Sequence, residues 1–125
     1  MKVVTRKRRY NGELLTMTIA GDVAHQWYGS SGDLYLYELE WCRQHIKPGF
    51  TIVDCGAHHG LMTMLFSRWA GQTGTVVAYE PLSDNVSTLR GNLKLNSIAN
   101  VIIRPIGLGD KNERREIVVN GPSLT

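Results

Sequence analysis

Polar and apolar residues alternate along residues 14–20, "LLTMTIA": Leu15, Met17 and Ile19 share one face, Thr16 and Thr18 the other. That period of two predicts a half-buried strand. The pair "NG" at 11–12 precedes it, a strong two-residue turn signal because both positions tolerate positive φ. Residues 3–20 therefore predict a β-hairpin, with poor alternation before the turn and a weaker first strand. "GSSGD" at 29–33 reads as a loop whose Asp33 caps a following helix. Tyr35, Leu39, Cys42 and Ile46 recur at helical spacing, and "KPG" at 47–49 ends the run.

The pattern then becomes regular. "FTIVD" (50–54) is short and nearly all apolar, as expected of a strand covered on both faces. Met62, Leu65, Phe66 and Trp69 form an amphipathic stripe that predicts core positions, and "GQTG" stops that helix. "TVVAYE" (75–80) is a second buried strand. Ser83 opens a helix with Val86, Leu89 and Leu93 inward, closing near Asn96. "VIIRPI" (101–106) is a third strand and "REIVV" (115–119) a possible fourth. Strand, helix, strand, helix, strand in this length implies an α/β fold, a Rossmann-like parallel sheet with right-handed crossovers. The hairpin and loop of residues 1–32 would precede a nucleotide-binding unit over 33–125.

Composition narrows the class without changing the fold. A 125-residue chain with 42% apolar and 20% charged residues reads as one soluble globular unit. No apolar run approaches the roughly 20 residues of a membrane span, and no signal peptide is evident; a cytoplasmic protein is expected. Cys42 and Cys55 lack metal or redox spacing and read as buried, reduced thiols. The net charge of +3 is asymmetric, because Lys2, Arg6, Lys7, Arg8 and Arg9 come before any acid. Such an arm suits nucleic acid or a solvated strand face; the latter is favoured, since no aromatic residues are interleaved with it in the sequence.

The candidate chemistry lies in "DCGAHHG" (54–60) after the first parallel strand. Ligands of open parallel sheets bind beyond the carboxyl ends of the strands. Gly56 and Gly60 let the backbone bend and approach a ligand, and a helix beginning near His59 would aim free N–H groups at it. Glu80 ends the second strand, where an acid can accept hydrogen bonds from both ribose hydroxyls of a nucleoside. The dinucleotide fingerprint and the Walker lysine are absent. His58 and His59 pose a choice between a metal and a backbone cradle. Neighbouring residues rarely ligate one metal, H-x-x-x-H spacing is missing, and His25 and His45 belong to unrelated elements, so the backbone reading is preferred and no metal is expected.

Residues 47–110 resemble the cofactor half of the FkbM-type family of S-adenosylmethionine-dependent methyltransferases, on "DCGAHHG", "VVAYEP", "NLKLN" and "IGLGD". The resemblance implies S-adenosylmethionine as cofactor and a partial class I methyltransferase core. It places Asp54 near the methionine amino group, the backbone of Gly56, Ala57, His58 and Gly60 around the methionine part, and Glu80 on the ribose. Pro81, with Leu82, would lie against the adenine, and Ile106 and Gly107 near its other side. The family usually has asparagine at His58 and an aliphatic residue at His59. It implies methyl transfer to a hydroxyl of a small molecule or sugar; alternatives are an RNA methyltransferase of the same fold or a non-catalytic cofactor-binding half-domain. No general base is identified. The family's later acidic D-V-E-G-type motif is missing, so an incomplete chain is expected. "NVS" at 85–87 matches a glycosylation acceptor but lies in a predicted helix.

Overall fold

The computed structural model describes residues 2–28 and 32–119. Its elements run β1 (Val3–Tyr10), β2 (Glu13–Ala20), α1 (Asp22–Tyr28), α2 (Tyr37–His45), β3 (Thr51–Cys55), α3 (Leu61–Ala70), β4 (Thr75–Tyr79), α4 (Ser83–Leu95) and β5 (Val101–Arg104). Strands β3, β4 and β5 form a parallel sheet in that order, and β1 and β2 an antiparallel hairpin. The α/β, Rossmann-like reading is thus the architecture observed.

The hairpin turns at Asn11 (φ 48°) and Gly12 (φ 84°), the positive-φ pair that matches strand twist. Its first strand is as long as its second, and every residue from Val3 to Tyr10 is in register. An arginine hides the alternation. Arg8 is buried on the inward side, its Nε donating to the Tyr10 hydroxyl (2.9 Å), one NH2 group donating to the Gly32 carbonyl (3.3 Å) and its guanidinium 5.0 Å from the Tyr10 ring centre. A buried charge is tolerable with such partners, and the polarity pattern does not reveal them.

Other expectations change. Helix α1 lies between the predicted hairpin and the 29–33 loop, where the sequence pattern predicts no helix. Helix α2 begins at Tyr37, not after Asp33; the Asp33 carboxylate instead accepts the Arg9 N–H (3.1 Å), and Leu34 pairs with Tyr10. Met62 is 41% exposed, while Leu61 and Met64 join Leu65 and Phe66 in the core. Cys42 is half-buried and Cys55 exposed, both free. Residues 115–119 form no strand.

Strand β3 is not covered on both faces. Both crossovers step the same way along the sheet, and crossovers of one hand then place α3 and α4 on one side. That side holds Ile52, Asp54, Val76 and Ala78; on the other, Val53 is 57% exposed and Ile102 is also open. The core joins hairpin and sheet: Tyr10, Leu15, Met17 and Ile19 pack in one cluster with Leu61, Met64, Leu65, Val76 and Leu89. Two side chains, Asn92 within α4 and its C-cap Asn96, pair with the free edge of β2. Asn92 accepts from the Thr18 N–H (2.7 Å) and donates to its carbonyl (3.1 Å), and Asn96 does the same for Thr16 (2.9 and 2.7 Å). Each amide mimics a strand neighbour and protects an edge otherwise open to pairing.

Candidate functional site

Strand β3 ends in a bend whose shape is set by backbone. Gly56 (φ 78°), His58 (φ 54°) and Gly60 (φ 93°) all lie in the left-handed region, natural for glycine and uncommon for histidine. The Tyr79 carbonyl at the end of β4 accepts both Gly56 N–H and Ala57 N–H (2.9 Å each), and Gly60 N–H returns to the Ala57 carbonyl (2.9 Å). A side-chain carbon added at Gly56 would meet nothing within 4 Å, so the space beside it is open. At Gly60 one would collide with the Leu89 side chain, which fixes how closely α4 approaches the bend.

Glu80 faces this bend. It is 4% exposed; one carboxylate oxygen accepts the His58 N–H (2.8 Å), the other the Leu82 N–H (3.1 Å) and the Asn85 amide (3.2 Å). An ionised carboxylate has about four lone-pair sites, so acceptor capacity remains. The free N–H groups expected around the bend are therefore largely taken up by the protein itself: those of Gly56, Ala57, His58 and Gly60 all have partners. The first-turn donors of α3, which begins at Leu61, lack intrahelical acceptors by geometry.

Asp54, buried at the carboxyl end of β3, accepts the Thr63 hydroxyl (2.6 Å). Burial pushes its pKa above the usual carboxylate value, the Thr63 bond opposes that, and the charge of Glu80 adds to the rise. The two acids therefore belong to one electrostatic site. Pro81, Ile106 and Gly107 line one cleft of about 700 Å³ with Leu108, Gly109 and residues of the segment 111–117. Gly107 lies close enough that an added carbon would sit 3.6 Å from Pro81. Bend, acid and cleft lie along the carboxyl ends of three adjacent strands, where open parallel sheets bind ligands.

His58 and His59 stack at 3.9 Å between ring centres, and Trp27 of α1 tilts against His58 at 5.3 Å. Burial pulls the His59 pKa down to about 4, with the neighbouring His58 and His25 lowering it further and an Asn85 hydrogen bond opposing them. His58 is also lowered by burial, with Glu80 pulling the other way. His25 thus belongs to the same neighbourhood, contrary to its reading as unrelated; its Nδ1 meets the Gly21 carbonyl at 2.7 Å. Among the described residues, no three His, Cys, Asp or Glu side chains gather in a metal-holding group, and no helix is long and apolar enough to cross a membrane.

Sequence reasoning missed the residues that hold the site residues. Thr63 orients Asp54, Asn85 orients Glu80, and Asn92, fully buried, donates to the His59 carbonyl (2.8 Å). The available signal was polar residues on the buried side of two helices: Thr63 beside Met64 and Leu65, Asn85 beside Val86. Asn85 is also the asparagine of "NVS", and its burial at Glu80 leaves it no role as a glycosylation acceptor.

Solved structures share the fold. An S-adenosylmethionine-dependent O-methyltransferase from Thermotoga maritima superimposes with a TM-score of 0.54 at 19% identity, over 80% of this chain and 40% of that one. A protein assigned as an rRNA methylase from Clostridium thermocellum gives 0.53 at 22% identity, over 56% of this chain and 38% of that one. A protein assigned as a methyltransferase from Streptococcus mutans, in complex with S-adenosylhomocysteine, gives 0.50 at 18% identity, over 56% and 38%. The chain spans about two-fifths of the length of these structures. Residues 54–125, more than half of the chain, match the model of the methyltransferase FkbM domain. The chain belongs to the methyltransferase FkbM domain family.

Proposed function

We propose that this chain binds S-adenosylmethionine in the bend after β3 and is the cofactor-holding part of an enzyme that methylates a hydroxyl on a sugar or other small molecule. The observation that carries the reading is the Glu80 carboxylate, buried and turned into the bend through the His58 N–H. From there it accepts ribose hydroxyls. Asp54 faces the methionine amino group, and the backbone of Gly56, Ala57, His58 and Gly60 encloses the methionine part. Pro81, Ile106 and Gly107, which share one cleft, hold the adenine. When bound, the cofactor supplies an electrophilic methyl group on a sulfonium. The protein's part is to fix its orientation and to exclude water, which is where positioning lowers the barrier of an in-line transfer. Residues 33–125 make up the cofactor unit and residues 1–32 precede it, in a cytoplasmic protein.

Thermal unfolding with S-adenosylhomocysteine tests the reading. At 100 times its Kd a ligand adds about 2.7 kcal/mol of stability, and Glu80→Ala removes that gain. A parent that does not respond, or a mutant that responds equally, refutes the site. Binding without methyl transfer to any hydroxyl acceptor supports a non-catalytic cofactor module instead. A second reading, RNA as the hydroxyl-bearing acceptor, is favoured by the cluster of basic residues on β1.

A further inference from the structure

Folding supplies the aromatic residues that the basic strand lacks in sequence. The hairpin turn is tied to the segment before α2 by four bonds: Asn11 N–H to Leu34 carbonyl (2.9 Å), Leu34 N–H to Arg9 carbonyl (2.9 Å), Asn11 amide to Leu36 carbonyl (2.8 Å) and Leu36 N–H to Asn11 side-chain oxygen (3.0 Å). Leu34 and Leu36 pack toward the core, which turns Tyr35 outward. Tyr35 shares a cleft of about 540 Å³ with Gly12, Arg43 and two acids, Glu13 and Glu40, and the Arg9 guanidinium donates to the Gly12 carbonyl at 3.1 Å. Arg9 and Tyr35 therefore adjoin the same turn residue. Beyond Tyr35 the row continues: Tyr37 meets it edge-on at 5.5 Å, and Trp41 stacks on His45 at 3.8 Å. Tyr37, Trp41 and His45 are four apart, so they share one face of α2.

The core does not explain these residues. Tyr37 is 83% exposed, Trp41 61% and Tyr35 55%, and large exposed aromatics in a row mark an interaction surface. On the β1 side, Arg6, Lys7, Arg8 and Arg9 line a second cleft, of about 490 Å³. Nearby acids are mostly engaged: Asp33 accepts the Arg9 N–H, Glu13 pairs with Arg68 at 3.7 Å, and Glu40 pairs with Arg43. Glu38 lies next to Tyr37 in sequence but off the aromatic row. Cations leading into exposed rings are what a single-stranded nucleic acid needs: phosphates on the charges, bases on the rings. A protein partner would be served by the aromatics but would leave the cation cluster without a use.

We propose that Lys7, Arg9, Tyr35, Tyr37, Trp41 and His45 form a binding strip for single-stranded nucleic acid. It lies on the hairpin-turn side of the molecule, apart from the bend after β3, and does not depend on the cofactor reading. The test is fluorescence anisotropy of short labelled oligouridylate and oligothymidylate with the 125-residue chain, without cofactor, across salt concentrations. Both probes bind, and the logarithm of affinity falls with that of salt at a slope of about −1.4, for two phosphates at about −0.7 each. Preference for either probe assigns the strand as RNA or DNA. Trp41→Ala and Tyr37→Ala each weaken binding roughly 5- to 150-fold, the worth of one stacked base, with the slope unchanged. Lys7→Ala with Arg9→Ala flattens the slope. Both aromatic positions are exposed, so the variants keep the parent's melting behaviour. The proposal is overturned if the parent shows no salt-sensitive binding, or if both aromatic variants bind as the parent does. Self-association of the parent that Trp41→Ala abolishes assigns the strip to a second copy of the chain and overturns it as well.

Discussion

Glu80→Gln tests whether the acid after β4 anchors the bend as the geometry indicates. The substitution keeps shape and volume but replaces one acceptor oxygen with an NH2 group. Glu80 receives three donors: His58 N–H at 2.8 Å, Leu82 N–H at 3.1 Å and the Asn85 amide at 3.2 Å. Glutamine keeps its oxygen on one side only. With that oxygen on the Leu82 and Asn85 donors, its own NH2 group faces the His58 N–H. One charge-assisted bond is then lost outright, at about 1.5–3 kcal/mol, the other two become neutral bonds of about 0.5–1.5 kcal/mol each, and relief from burying a charge offsets part of that. The net expectation is a loss of about 2–3 kcal/mol, large against the ±0.5 kcal/mol typical of neutral surface changes. Urea unfolding followed by tryptophan fluorescence measures it, and Glu80→Asp is the companion. Aspartate keeps the charge but is one methylene shorter and cannot span from Leu82 to His58. Both variants should be destabilised and should lose the S-adenosylhomocysteine response. Should Glu80→Gln unfold at the parent's urea concentration, the carboxylate is not the anchor and the bend is held by other means.

Four further outcomes follow from the same site. His59 is neutral in the fold with a pKa of about 4, whereas the unfolded chain takes up its proton near 6.5. Its contribution is therefore fully present above about pH 6.5 and lost as pH falls toward 4; urea titrations across that range should show a shallower decline in His59→Leu than in the parent. Asn92→Ala removes bonds to Thr18 N–H, Thr18 carbonyl and His59 carbonyl, and should cost about 2–4 kcal/mol in urea unfolding by leaving buried groups unpaired. Gly60→Ala combines a φ of 93° with a collision at Leu89 and should destabilise by at least about 2 kcal/mol, with Leu89→Ala restoring only part of it. Thr63→Val takes away the hydroxyl that lowers Asp54, so the Asp54 carboxyl should titrate at higher pH in carbon-detected NMR.

The sequence made the parallel sheet legible because its strands and helices carry clean periods. Glycines bracket the bend, and a single acid closes the second strand. Elsewhere the pattern and the physics diverge. Alternation fails in β1 because Arg8 turns inward and is paid for by Tyr10 and Gly32. The i, i+3, i+4, i+7 spacing of Met62, Leu65, Phe66 and Trp69 puts Met62 on the inward stripe of the predicted helix. The helix begins at Leu61, after Gly60, and Leu61 and Met64 take the inward positions. Strand β3 reads as covered on both faces because Val53 is apolar, but a pattern of hydrophobicity does not say on which side the crossovers lie. Most of all, no local pattern shows that an asparagine on one helix completes the edge of a strand some 74 residues earlier in the chain.

That asparagine changes what the hairpin is for. Asn92 reaches Thr18 on β2 with one side of its amide and also donates to the His59 carbonyl in the bend. The hairpin edge, α4 and the loop after β3 thus meet at a single buried side chain. Glu80, just past the end of β4, accepts the His58 N–H. Consecutive residues of the loop are held by two different side chains, one through its amide hydrogen and the next through its carbonyl oxygen. His58 keeps a left-handed φ despite its side chain, a conformation that persists where surrounding structure over-determines it. The pair of histidines is therefore placed by hydrogen bonds to its peptide groups, and its rings fill the space that those bonds leave against Trp27. A chain without the hairpin would lose the Thr18 partners of Asn92, the side chain that also donates to the His59 carbonyl, so the amino-terminal strands help to position the loop after β3.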